Sequence, residues 1–462
     1  VAAGGRAAAG MIIVPGPRQP FAVAEVYAEV RAMQDRPLRR WRGDWYAYSS
    51  VRWVLTDEED VRAEMVRWLT SEEVVTLDKD SVRRPWRPTR GTEITDVLRM
   101  LGDVVHRPSA AEIPRGIFLS NGWIDERQTP RDYSPDVFNT SAANYAWEVK
   151  AQCPNTLAWL NDILSAEDVE LLRQWLGYLV SKRTDLQKML VLIGPPRSGK
   201  GTLLWLMEEL LGPGSTASIV AFHKLIETFG RQPMIGTSMT VMPDVRWSTK
   251  DAADAVPMLL SISGEDIQDV DRKNMKAWRG RLDTRFVIAS NDTPSLTDAS
   301  GALAGRMLTI EMDQSFLGKE DPGLKERIRA ELPGVLQWAL GGLGALSVVG
   351  RFVEPAASVA AREEVRQTSN PAYLFVEDMC LLGPFAMVML DDLYRGYDYW
   401  CQKNGYSRLP SSILVRQLKN TFRGKVTSVR RRTVPGGPLR RVVLGMALAA
   451  EPAYAEQPLY EI

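Results

Sequence analysis

The chain of 462 residues is 45% hydrophobic and 25% charged, with 57 basic residues balancing 57 acidic ones. This composition excludes a disordered or fibrous chain and suits two to four packed domains. Zero net charge excludes a broadly polycationic protein, so any nucleic-acid surface has to arise from local clustering.

Cys153, Cys380 and Cys401 stand far apart, and only His106 and His223 accompany them. No zinc site or disulfide framework is expected, and a reducing compartment is the simplest reading. No apolar run is expected to be long enough to span a membrane. Residues 1–20 are Ala/Gly/Pro-rich without a signal peptide's continuous apolar segment, so a disordered leader is expected, with Met11 a candidate start.

Residues 21–110 read as a small α+β domain. Trp45, Tyr46, Tyr48 and Trp53 fall in short strand-like runs and are expected mainly to pack a core, although aromatics can also stack on single-stranded bases. "TDEEDVRAEMVRWL" opens a helix, with Thr56 as its expected cap. "SVRRPWRPTR" reads as a basic linker. Residues 111–185 form a helical collar region: a hairpin about Asn121-Gly122, then two amphipathic helices, the second capped by Ser165.

Residues 186–349 alternate apolar strands with helices, which predicts an α/β core with a parallel sheet flanked by helices. Within it, "GPPRSGKGT" follows a strand-like run and precedes a helical one. Backbone N–H groups around Gly194 and Gly199 can wrap phosphate oxygens, and Lys200 adds a positive charge at the helix N-terminus. Gly194, Pro195, Pro196, Arg197, Ser198, Gly199, Lys200, Gly201 and Thr202 are therefore expected to bind ATP. Such loops usually carry Ser or Thr for Mg2+ directly after the lysine, but here that residue is Gly201. Thr202 comes one step later, which turns a side chain by about 100°. Either the helix start is shifted or Mg2+ is held mostly through water and a carboxylate. That carboxylate is expected to be Asp244, at the tip of the strand "TVMPD". A second strand, "RFVIASN", ends in Asn291, placed to orient an attacking water or touch the γ-phosphate. The loop alone is similar to that of adenylate kinases, although those carry it near the chain's start.

Residues 350–370 read as a linker with Pro355. In residues 371–462, Tyr394, Tyr397 and Trp400 at helical spacing are expected to pack a small core. "SILVRQLKNTF" is a further helix, and "VTSVRRRTVPGGPLRRVVLGM" reads as two strands about a Pro-Gly-Gly turn. Helices followed by a two-stranded wing predict a winged-helix domain. No Asp or Glu occurs from Tyr399 to Ala450. Arg416, Lys419, Arg430, Arg431 and Arg432 are accordingly expected to contact DNA.

The order of loop, Asp-tipped strand, "SGEDIQDVDRK" and "FVIASNDTPSLTDASGALAGRMLTIEM" resembles the superfamily 3 helicases, in particular the phage and poxvirus primase–helicase group. "IFLSNGWID", "CPNTLAWLNDIL", "AYLFVEDMC" and "LYRGYDYWCQKNGY" extend the resemblance from about Ala111 to Arg441. It implies an AAA+ ATPase that forms a ring, a hexamer, translocates on single-stranded DNA and unwinds duplex. By the same resemblance Lys200 is the phosphate lysine, Asp244 the metal acid, Asn291 the sensor and Arg306 a finger reaching the neighbouring subunit's ATP. Arg272, Lys273 and Lys276 fall in the segment that grips DNA in the pore. The implied setting is phage or prophage replication in a bacterial cytoplasm, with phage or host replication proteins as partners. Three departures stand out: Ser198 stands where many members carry Asn, Val245 follows Asp244 where the family often has a second acid, and the first 110 residues lack a primase's metal-binding clusters. The remaining alternatives are an adenylate-kinase-like phosphotransferase and a non-motor, ATP-dependent DNA-binding protein.

Overall fold

Short, mostly apolar runs form the buried central strands of a parallel sheet. In the computed structural model, which describes residues 11–108, 115–125, 128–246, 250–273, 275–292, 302–368, 370–404, 406, 408–432 and 438–449, five strands make one sheet. Their spatial order is Thr216–Ser218, Met239–Met242, Arg285–Ser290, Met189–Ile193, Met307–Glu311, all parallel. Alternation along Met189–Ile193 sends Leu190 and Leu192 to one face and Met189, Val191 and Ile193 to the other. The first face packs under helices Ala166–Val180, Lys200–Leu211 and Leu332–Val349, and the second under helix Lys250–Ser263.

Helix Leu332–Val349 is long and apolar enough to cross a membrane by length and composition, against the sequence-based expectation. Its inner face instead lies on helix Ala166–Val180. There a Cβ on Gly177 would come 2.4 Å from the Ala339 carbonyl, and one on Gly342 2.4 Å from that of Arg173. Backbones this close require glycine at both positions, and they turn an apolar helix into a core element.

The N-terminal unit is α+β, as expected. Strands Leu38–Trp41, Asp44–Tyr48 and Trp53–Thr56 form an antiparallel sheet extended by His106–Arg107, with helices Pro20–Met33, Glu58–Leu69 and Gly91–Val104. Trp45, Tyr48 and Trp53 are buried. Four boundaries differ from the expectation. Ile12–Ile13 pairs with Val74–Val75 and Val14 is buried, so this part of the expected leader belongs to the fold. The cap of helix Glu58–Leu69 is Asp57, one residue after Thr56. The basic "linker" carries the buried Trp86, whose indole donates to the Pro15 carbonyl at 3.0 Å. Residues 350–370 contain helix Ala356–Thr368, which docks on the sheet through buried Val365 and through Ser358 Oγ, the acceptor for Thr309 N–H at 2.9 Å.

The C-terminal unit packs helices Pro371–Met379, Leu390–Asn404 and Ser411–Thr421 around Phe375, Tyr397, Trp400 and Leu418. Its sheet has three strands, in the order Cys380–Met389, Leu439–Leu448, Thr427–Arg432. The extra strand was hidden by its Gly383-Pro384 step, which reads as a turn. A register shift between Leu382 and Met387 absorbs that step at the sheet edge, where proline is tolerated. The expected Pro-Gly-Gly turn lies outside the described residues.

Candidate functional site

Loops leaving the C-terminal ends of parallel strands share one edge of the sheet, and ligand sites form there. Strand Met189–Ile193 ends at Gly194, whose φ is 158° and whose Cβ, if present, would sit 2.4 Å from the Met312 carbonyl. Gly199, at φ 106°, caps the helix that begins at Lys200. Both glycines are required locally, one by close approach and the other by a left-handed backbone. The loop is held from outside as well. Ser315 Oγ donates to the Pro196 carbonyl at 2.8 Å, and Phe316 N–H donates to the Arg197 carbonyl at 3.0 Å.

Lys200 Nζ donates to the carbonyls of Gly194 and Pro195, the latter at 2.8 Å, and to Asn291 Oδ1 at 3.1 Å. Asn291 Nδ2 donates in turn to Asp244 Oδ1 at 3.0 Å. Asp244 has φ 54°, a left-handed conformation that Asp tolerates better than most residues. The sheet order explains the bridge: strand Arg285–Ser290 lies between the loop strand and strand Met239–Met242, so its tip residue stands between the other two. Burial pushes the pKa of Lys200 down, against the opposing charge of Asp244.

The loop residues from Pro196 to Thr202, together with Asp244 and Asn291, line one cleft of 1030 Å³. Gly201 and Thr202 fall on the first helical turn, and a Cβ on Gly201 would meet nothing within 4 Å. The cleft also collects Trp159 and Ile163 from helix Pro154–Ile163, with Phe316 and Leu324. These four add apolar surface to its lining. No sequence signal pointed to them, because they come from segments far apart in the chain. Mg2+ keeps several waters and takes one or two carboxylates plus substrate phosphates. Asp244 fits a nucleotide-borne Mg2+ on that basis, and Thr202 lines the same cleft. Among the described residues no group of three or more His, Cys, Asp and Glu could hold a metal by itself.

Arg306 does not join this cluster within the chain. It precedes Met307, which pairs with Met189 at the opposite edge of the sheet. Its guanidinium donates to the Leu260 carbonyl and, at 2.7 Å, to Ser263 Oγ, at the end of helix Lys250–Ser263. Lys273 and Lys276 are exposed on the antiparallel hairpin Gln268–Arg272/Met275–Gly280. Arg272, expected beside them as a DNA contact, is instead turned into the N-terminal unit. It pairs with Asp44 at 3.1 Å and donates to the Arg42 carbonyl at 2.8 Å.

In the C-terminal unit Arg416, Lys419, Arg430, Arg431 and Arg432 are all exposed. Arg430 stands directly opposite Arg441, and Arg431 opposite Arg440. Like charges so placed destabilise a sheet, and no acidic residue occurs from Tyr399 to Ala450 to offset them.

Residues 192–306 match a family of unknown function (DUF5906), and residues 367–436 match the Poxvirus D5 protein-like family. No curated protein matches the chain. Among solved structures, the A-form apo structure of the NrS-1 C-terminal region is 13% identical and has a TM-score of 0.51. That likeness covers 90% of this chain and 98% of the other. A second A-form apo structure of the region, spanning 305–718, is 12% identical over the same shares with a TM-score of 0.48. At these identities the first likeness is one of fold. Arg430, Arg431 and Arg432 thus fall within the Poxvirus D5 protein-like match, which ends before Arg440 and Arg441, and the chain's fold is similar to that of the NrS-1 C-terminal region.

Proposed function

We propose that the chain is an ATP-dependent DNA helicase of a phage or other mobile element, a superfamily 3 AAA+ motor that works as a hexameric ring during replication. The observation that carries this reading is the line Lys200–Asn291–Asp244 at three strand tips, facing a nucleotide-sized cleft. The two family matches and the fold likeness support it. The loop N–H groups bind the phosphates, and Lys200 neutralises charge that grows at the β/γ bridge. Asn291 holds Asp244 and orients the attacking water. Asp244 and Thr202 would hold Mg2+, which would supply Lewis-acid stabilisation of the phosphoryl oxygens. Arg306 reaches the neighbouring subunit's nucleotide, and the exposed lysines of the hairpin contact single-stranded DNA. The paired arginines of the C-terminal sheet, a winged-helix unit in this reading, meet the duplex backbone, whose phosphates relieve their mutual repulsion.

The test is ATP turnover of the full chain with and without single-stranded DNA, beside Lys200→Ala. Turnover should rise with DNA and vanish in the variant. Phosphoryl transfer to a nucleoside monophosphate, indifferent to DNA, would overturn the motor reading.

A further inference from the structure

We propose that a cleft between the N-terminal sheet and the nucleotide-binding core holds one unpaired nucleotide of the DNA strand, its base on Tyr46 and its phosphate on Arg52. The inference rests on the DNA-motor reading and adds a strand-binding point outside the hairpin and the C-terminal unit. The cleft measures 290 Å³, near the lower end of the ~300–1,000 Å³ typical of small-molecule sites. It therefore has room for a single planar group and not for an extended segment.

Its lining joins aromatic rings to guanidinium groups. Half-buried Tyr46 lines it beside the buried Trp41 and Trp53, and all three rings contact Phe138. Arg42, Arg52 and Arg272 line it with one carboxylate, Asp44. Arg272 pairs with Asp44 at 3.1 Å, Arg42 lies over the Trp41 ring at 4.1 Å and within the field of Asp283, and Arg52 donates to the Pro213 carbonyl at 2.7 Å. A fixed aromatic platform beside guanidinium groups stacks any base and takes its phosphate, whatever the sequence. The position also suits a strand already held elsewhere. Arg272 donates to Asp44, to the Arg42 carbonyl and, at 3.1 Å, to the Lys276 carbonyl, which ties the cleft to the hairpin bearing exposed Lys273 and Lys276. The rim is open: Leu55, paired with Tyr46 in the sheet, is 63% exposed.

The experiment uses the full chain with fluorescent oligo(dT) and with an oligo(dT) carrying 5-iododeoxyuridine for photocrosslinking. Crosslinks should map to residues 38–56. Tyr46→Leu should weaken binding about tenfold, as expected when one base stack is removed. Arg52→Gln should lower the slope of log affinity against log salt by about 0.7, as expected when one phosphate is no longer neutralised. Leu55→Glu, at the exposed rim, keeps the fold and should weaken binding several-fold at low salt only. Binding by the parent chain with crosslinks elsewhere and an unchanged Leu55→Glu variant would overturn this inference alone. ATP turnover by a parent chain that binds no single strand would overturn it together with the DNA-motor reading. An apolar peptide that displaces no DNA yet is blocked by Leu55→Glu would assign the cleft to a protein segment instead.

Discussion

Asn291 donates its side-chain amide to Asp244 Oδ1 at 3.0 Å, across the tips of two neighbouring parallel strands. Its carbonyl oxygen accepts from Lys200 at 3.1 Å, so one planar side chain sets the spacing of a cation and an anion. Neither charge needs the other's direct contact, and both stay directed at the cleft. Asn291→Ala should lower ATP turnover by about 10²–10³-fold, the usual effect of removing one positioned polar group. Nucleotide affinity, measured by fluorescent-analogue titration, should change little. A variant with parental turnover would show that the bridge is not used in hydrolysis.

The late hydroxyl at Thr202 can be tested against the open space at Gly201. Thr202→Ala should raise the Mg2+ concentration needed for half-maximal turnover. A Cβ at position 201 meets nothing within 4 Å, so Gly201→Ser is sterically admitted. Adding it to Thr202→Ala should restore the Mg2+ requirement towards the parent's. No change in Thr202→Ala would leave the ion to Asp244 and water.

Arg306 carries two separable expectations. Its hydrogen bonds to Leu260 and Ser263 secure a helix end, so Arg306→Ala should lose about 1–3 kcal/mol of stability. If it also acts between subunits, mixing Arg306→Ala with Lys200→Ala chains should recover part of the turnover, because some mixed interfaces then hold both intact groups. Mixed rings without recovery would confine Arg306 to the structural role.

Truncation before Pro371 removes the sheet in which Arg430 faces Arg441 and Arg431 faces Arg440. Basal ATP turnover should persist, while duplex affinity falls and its salt slope flattens by about 0.9 for each phosphate no longer neutralised. Equal slopes for the whole and truncated chains would make the unit a protein-docking module.

Lys182 lies over the Phe118 ring at 5.1 Å, and burial, with Arg285 nearby, pushes its pKa down to about 8. The unfolded chain releases the same proton near pH ~10.4. Below about pH 8 both states are protonated and the fold carries the penalty of the half-buried charge. From about pH 8 to about 10.4 the unfolded state binds more protons, so this group's contribution to stability rises with pH. Lys182→Met should therefore raise Tm at about pH 7 by about 2–4 °C, corresponding to about 1 kcal/mol. That advantage should shrink to almost nothing by about pH 10, as read by differential scanning fluorimetry.

Features governed by local chain chemistry could be read from the sequence alone. The loop around Gly194 and Gly199, the buried strands and the Ser165 cap, whose Oγ accepts from Asp168 N–H, depend on residues within a few positions of one another. So do the tip positions of Asp244 and Asn291, which stand one or two residues past the end of a buried, mostly apolar run. What those tips face was decided by the order of strands, a global property set by which faces pack best. The same packing brought Trp159 and Phe316 to the loop and docked helix Ala356–Thr368 on the sheet. It also engaged two expected functional arginines, Arg272 on Asp44 and Arg306 on a helix end. A guanidinium finds its partner through space, and neither Asp44 nor Leu260 is near its arginine in the chain. Periodicity reports which side of an element is buried, whereas only the assembled layers determine what lies against it.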